Sequence, residues 1–142
     1  VSYCTQAELA DRYGAGMLIE LTDRADPPTN AIDAAAVARA IDDASALIDG
    51  YLKGRYALPI ADTPPLLRDL ALTIAIYKMH AGSAGDKIRK DYDDALRTLT
   101  QIANGLVRLD VAGVEPAASG ATGVRVTDRE RDLTPDNLRG FL

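Results

Sequence analysis

The stretch Pro64-Pro65-Leu66-Leu67-Arg68-Asp69-Leu70-Ala71-Leu72-Thr73-Ile74-Ala75-Ile76-Tyr77-Lys78-Met79-His80 decides the fold. Thr63 reads as an N-cap and Pro64 as the first helical residue, where the missing N–H breaks no hydrogen bond. From there to His80 apolar side chains fall nearly all round the helix. A helix of that kind must be covered on several sides. In a chain of 142 residues, part of the cover is expected from another subunit.

The neighbouring segments can supply the remainder. Upstream, Val37, Ile41, Ala44, Ile48 and Tyr51 recur at spacings of three or four, and Leu47 and Leu52 widen the stripe. Arg39, Asp42, Asp43 and Asp49 occupy the other faces. Asp33 is a natural N-cap, and the helix within Ile32–Lys53 should stop near Gly54. Arg55 to Thr63 reads as an extended connection, restricted by Pro59. Downstream, Gly82 to Gly85 is a turn. Ile88, Tyr92, Ala95, Leu96, Leu99, Ile102, Ala103 and Leu106 then make a second helical stripe, closed by Gly105. At the start, Thr5 with Glu8 three places on forms a capping box. It opens a short helix over Gln6–Tyr13, which Gly14 and Gly16 interrupt before another helical turn at Met17–Leu21. Ala25 to Asn30, holding Pro27-Pro28, is a loop.

These segments describe a mainly α protein, a small helical bundle over residues 1–109. Residues 110–142 differ in character. They are rich in Gly, Ala, Pro and Ser without period, and alone they lack the apolar mass to fold. They are expected to form an extended C-terminal arm that rests either on its own bundle or, the preferred reading, on a neighbouring chain. Val124 and Val126 alternate with polar residues, so the arm could add a short strand.

Composition narrows the function classes. Aromatic residues make up 5% of the chain, with no Trp, so the core must be aliphatic. The net charge of −5 argues against a nonspecific nucleic-acid binder, which draws its affinity from cations on phosphates. The single cysteine, Cys4, rules out an intrachain disulfide and fits a reducing compartment. The apolar run Leu70–Met79 is too short to span a bilayer, and no secretory signal is expected.

No constellation points to catalysis, a metal or a cofactor. His80, the one histidine, reads as a helix-terminal residue facing the end dipole. Cys4 lacks an activating partner and reads as a small apolar contact. Asp42-Asp43 and Asp93-Asp94 are adjacent on helices, so their carboxylates diverge by about 100° and cannot converge on one atom. Gly14-Ala15-Gly16 has no preceding strand and no following Gly-Lys-Ser/Thr, and is no phosphate loop. The segment Tyr51-Leu52-Lys53-Gly54-Arg55-Tyr56 is more informative. It sets two cations between two tyrosines at a helix end, a pattern that could serve a contact with a second subunit. The alternative is a helix cap with the tyrosine rings as core lids. Asp128-Arg129-Glu130-Arg131-Asp132 alternates in sign, and either forms salt bridges between subunits or stands solvated, where such pairs contribute only about 0–1 kcal/mol each.

Several stretches carry a resemblance. Ser2-Tyr3-Cys4-Thr5-Gln6-Ala7-Glu8-Leu9, Arg12-Tyr13-Gly14 and Ile19-Glu20-Leu21-Thr22-Asp23-Arg24 are similar to the opening of Mu-like phage and prophage structural proteins. So are Ala40-Ile41-Asp42-Asp43-Ala44-Ser45, Ile48-Asp49-Gly50-Tyr51-Leu52 and Gly54-Arg55-Tyr56-Ala57-Leu58-Pro59 to their centre, and Gly140-Phe141 to their end. In size and helical layout the chain also resembles the head–tail adaptor proteins of long-tailed phages. That resemblance implies a virion protein at the head–tail interface, in a ring (dodecameric by analogy) that extends the DNA channel. It implies as partners a portal protein, a head-completion, stopper or tail-terminator protein, and packaged DNA passing without specific binding. The expected contact residues are Tyr51, Lys53, Arg55, Tyr56, Val124, Val126, Arg129, Arg131 and Phe141. A structural role of this kind needs no enzyme activity and no cofactor. The competing reading is a small DNA-binding or regulatory module, with Gly82–Gly85 as the turn of a helix–turn–helix and Lys87, Arg89 and Lys90 opening its second helix.

Overall fold

A computed structural model describes residues 1–111. Among them are five helices and no strand: α1 (Gln6–Tyr13), α2 (Ala15–Thr22), α3 (Ala34–Leu52), α4 (Pro65–Met79) and α5 (Asp86–Ala103). The protein is mainly α, as the periodicity requires.

The capping chemistry sets the element starts. At α1 the Glu8 amide donates to Thr5 Oγ1 (3.3 Å) and the Thr5 amide donates to Glu8 Oε2 (2.8 Å), so two free donors are satisfied reciprocally. At α3 the Asp33 carboxylate accepts from the Ala35 and Ala36 amides at 2.9 and 3.2 Å. Only one of the two early glycines interrupts the chain. Gly14 takes φ +88° and turns α1 into α2, whereas Gly16 lies inside α2. The start of α4 is also one residue later than the Thr63-Pro64 reading. Pro64 is the N-cap with ψ 147°, and Pro65 is the first helical residue. The cause is local: the ring of Pro65 clashes with a helical Pro64 and holds it extended.

The middle helix is the axis of the bundle. Every residue from Leu70 to Ile76 is buried, with Leu67 and Met79 at either end. The cover expected from another subunit is supplied by the chain itself, since α4 packs against α3, α5 and α1. Val37, Ala40, Ile41, Ala44, Ile48 and Leu52 face it from α3, and Ala95, Leu99 and Ile102 form the buried face of α5. Each fully buried Leu or Ile contributes about 1.5–3 kcal/mol. The ion pairs Arg12–Asp69 and Arg68–Glu8 fasten α1 to α4 at the surface, where each is worth about 0–1 kcal/mol.

The connection after α3 is not extended. The amides of Arg55 and Tyr56 both donate to the Leu52 carbonyl, at 2.9 and 2.8 Å, which turns the chain back. Tyr56 and Ile60 then enter the core, 3% and 2% exposed. The second stripe is also shorter than its spacing suggests. α5 ends at Ala103, and Leu106 is 78% exposed. Gly105 at φ +78° redirects the chain there. The Leu106 amide donates to Gln101 O (2.9 Å) and the Gly105 amide to Ile102 O (3.0 Å), the paired bonds of a Schellman stop.

Candidate functional site

The Tyr51–Tyr56 segment folds into a knot at the end of α3. Lys53 is the C-cap of the helix and is exposed. Arg55 is half-buried, and its guanidinium lies where a Cβ on Gly105 would sit, so α5's stop and α3's exit are packed on each other. Tyr56 Oη accepts the Leu109 amide at 3.1 Å, a buried bond between residues 53 apart. Tyr56 is thus an interior lid and not a surface contact. Tyr51 is half-buried on the α3 surface.

A tyrosine cluster lies on the face that Tyr51 shares. Tyr77 and Tyr92 stack with ring centroids 3.9 Å apart and planes 9° apart. Burial, then the neighbouring Tyr77, Tyr51 and Asp93, push the Tyr92 phenol above its ordinary range. Sequence spacing shows Tyr92 in the α5 stripe but not this pairing, because Tyr77 sits in a helix that is apolar nearly all round, where spacing singles out no face.

A second feature escaped sequence reading altogether. A cleft of about 570 Å³ opens between the loop after α2, the N-terminal half of α3 and the end of α4. Leu21, Ala36, Ala40 and Met79 supply its apolar lining; Arg24, Arg39, Lys78, Asp23, Asp33 and Asp43 supply its charges. Asp23 organises the loop wall. Its carboxylate accepts from the Asn30 amide (2.7 Å), Thr29 Oγ1 (3.1 Å) and the Ala25 amide (3.4 Å). Desolvation acts upward on this carboxyl, but those donors outweigh it and hold it below the usual carboxylate range. Thr22 pins the loop's far end, donating to Leu18 O at 2.7 Å and accepting the Asp33 amide at 3.1 Å. Asp33 caps α3, and Arg24 reaches the Met79 carbonyl at 3.5 Å. Segments around Leu21–Thr29, Asp33–Asp43 and Lys78-Met79 meet only in the fold to make this cleft, and no periodicity signals it.

Residues 3–128 match the protein family described as Bacteriophage Mu, Gp36. The chain belongs to that family. It is 30% identical over 142 residues to the Mu-like prophage FluMu protein gp36 of Haemophilus influenzae, spanning all of this chain and 99% of that one. It is 33% identical over 105 residues, 74% of each chain, to gene product J of Escherichia phage Mu. The Mu-like resemblance of the opening and central segments is therefore a family relationship.

Within this Mu Gp36 family member, the remaining candidate groups have structural surroundings. His80 Nδ1 lies 2.8 Å from the Ile76 carbonyl at the end of α4. Cys4 is buried, and burial followed by the Glu8 charge pushes its thiol up to about 11. Tyr3 donates its hydroxyl to Asp49, and its phenol is raised by burial and then by that carboxylate. Asp42 and Asp43 are exposed on α3, and Asp93 and Asp94 on α5, where Asp94 pairs with Arg97 at 2.8 Å. Lys87 pairs with Asp91 at 2.5 Å, which raises its pKa through that hydrogen bond and charge; Arg89 and Lys90 are exposed. No group of His, Cys, Asp and Glu among the described residues is arranged to hold a metal ion. No helix among them is long and apolar enough to cross a membrane. Val124, Val126, Arg129, Arg131 and Phe141, and the arm with its added strand, lie outside the described residues.

Proposed function

We propose that this Mu Gp36 family protein is a structural subunit of the head–tail connector, an adaptor that joins like copies into a ring between portal and tail. Its work is assembly, without a reaction or a cofactor. One observation carries the reading: in a phage protein family, this chain buries the apolar run Leu70–Ile76 of α4, with Leu67 and Met79, under its own side chains. Each subunit therefore reaches assembly as a finished block, and its outer surface is left for contact. Among the described residues the only large apolar side chains standing well exposed are Val1 and Leu106. A surface so poor in apolar patches favours polar, reversible contacts that rings can adjust as they close.

A ring requires heterologous contacts, in which one face of the block fits a different face of the next. Half-buried Tyr51 and exposed Lys53 stand where such a contact can form, and the portal, the stopper or terminator protein and the passing DNA are the other proposed neighbours. The test is a particle preparation from a phage lacking this protein. Filled heads and complete tails that fail to join are expected. Joined, infectious particles would overturn the reading, and so would a failure to make heads at all.

A further inference from the structure

α1 and α2 form a layer of their own on the bundle. The Gly14 amide donates to Ala10 O at 2.9 Å and the Leu18 amide to Gly14 O at 3.4 Å, so the two helices are joined through Gly14. α2 packs chiefly on α1, and α1 packs on α3 and α4. Among the described residues, eight of the ten largest fully buried side chains lie in α3, α4 and α5; the α1–α2 pair adds only Leu9 and Leu18. The three-helix body therefore holds most of the core without it.

The polar ties between layer and body are mostly long or at the surface. Arg12–Asp69 and Glu8–Arg68 are surface ion pairs, which water screens. The Tyr3 amide donates to Ser45 Oγ at 3.3 Å, and Arg24 reaches the Met79 carbonyl at 3.5 Å. Two closer bonds stand at opposite ends of the layer: the Tyr3 hydroxyl donates to Asp49, and the Asp33 amide donates to Thr22 Oγ1 at 3.1 Å. The link onward to α3 adds no core contact, since residues 24–31 are all exposed. Asp23 closes that loop on itself through Thr29 and Asn30, which leaves residues 31–33 as the pivot.

We infer that α1 and α2, with the N-terminal residues before them, lift from α3–α5 as one lid while the three-helix body stays folded. Contiguous units held by few buried apolar side chains open at a lower free energy than the whole molecule. Opening breaks the Tyr3–Asp49 and Thr22–Asp33 latches and separates Glu8 and Arg12 from Arg68 and Asp69. It bares Leu9, Leu18 and the seats they leave. Closed, the described surface shows only Val1 and Leu106 as large exposed apolar side chains, so the lid holds back an apolar surface that the resting subunit lacks. Lid opening is a property of the single chain and is independent of where the protein sits in a particle.

Hydrogen exchange of the full chain, read by mass spectrometry at rising urea below the unfolding transition, tests the lid. Peptides from α1 and α2 are expected to share one open population, about tenfold or more above that of α3–α5. Cys4, buried and the chain's one thiol, should react with a thiol-specific reagent through that same population. Ile102→Val separates local from global opening. Ile102 is fully buried in α5, and losing one methylene there should raise the opening of α3–α5 about two- to tenfold. Exchange of α1 and α2, and labelling of Cys4, should stay unchanged in that variant. An equal rise in α1 and α2 would show that they open only with the whole molecule. Different open populations for α1 and α2 would show two helices fraying separately. Either result overturns the lid.

Discussion

The hydroxyl of Tyr56 accepts the backbone amide of Leu109 at 3.1 Å, and both residues are buried. This bond ties the exit of α3 to the last core residue before the tail. Tyr56→Phe keeps the ring but leaves the Leu109 amide without its acceptor. An unsatisfied buried donor costs about 1–3 kcal/mol. Urea unfolding of the Phe variant should show a loss in that range with an unchanged slope, and an unchanged midpoint would refute the role assigned to the bond.

Gly105 should be equally intolerant of a side chain, for two separable reasons. Its φ of +78° strains any L-residue, and an added Cβ would displace the Arg55 guanidinium. The backbone part costs about 1–2 kcal/mol. Gly105→Ala is expected to destabilise by at least that much in the native background and by less when Arg55→Ala is already present. Equal losses in the two backgrounds, measured by a double-mutant cycle, would show that Arg55 and Gly105 are not packed on each other.

Alkali should loosen the fold in a defined window. The Cys4 thiol is raised from 9.0 to about 11, and Tyr3, Tyr13 and Tyr92 are raised from 10.0, with burial the largest cause for each. A raised folded-state pKa means the protonated form is favoured by folding. The contribution is complete below the unfolded value and is lost as pH climbs through the folded one. Melting temperature should therefore fall from about pH 9 upward, and Cys4→Ala should flatten the part between 9 and 11. A profile for the variant that tracks the native one across that window would show that the thiol is not the titrating group.

Much of the helical layout was legible in local chemistry. The Thr5–Glu8 box and the Asp33 cap act over three residues, so sequence alone located the starts of α1 and α3. The stripes of α3 and α5 were legible because each has one buried face. Boundaries failed where a neighbour's ring or a glycine dihedral overrode the spacing, at Pro64 and at Leu106. The all-round apolar character of α4 was plain, but spacing cannot say whose side chains cover it. The knot was half legible. Its tyrosines and cations stood out, while Tyr56's inward turn depends on Leu109, 53 residues away. The cleft was invisible for the same reason: Asp23, Arg39 and Lys78 meet only in the folded chain.

The proposed function puts this block where head meets tail. Electron cryomicroscopy of purified Mu-like particles, with the helices of residues 1–111 fitted to the neck density, tests it most directly. A ring of copies of α1–α5 between portal and tail, with the α4 axis enclosed in each copy, is the predicted result. Neck density that cannot hold these helices, or their presence instead in the capsid shell or the tail tube, would contradict it.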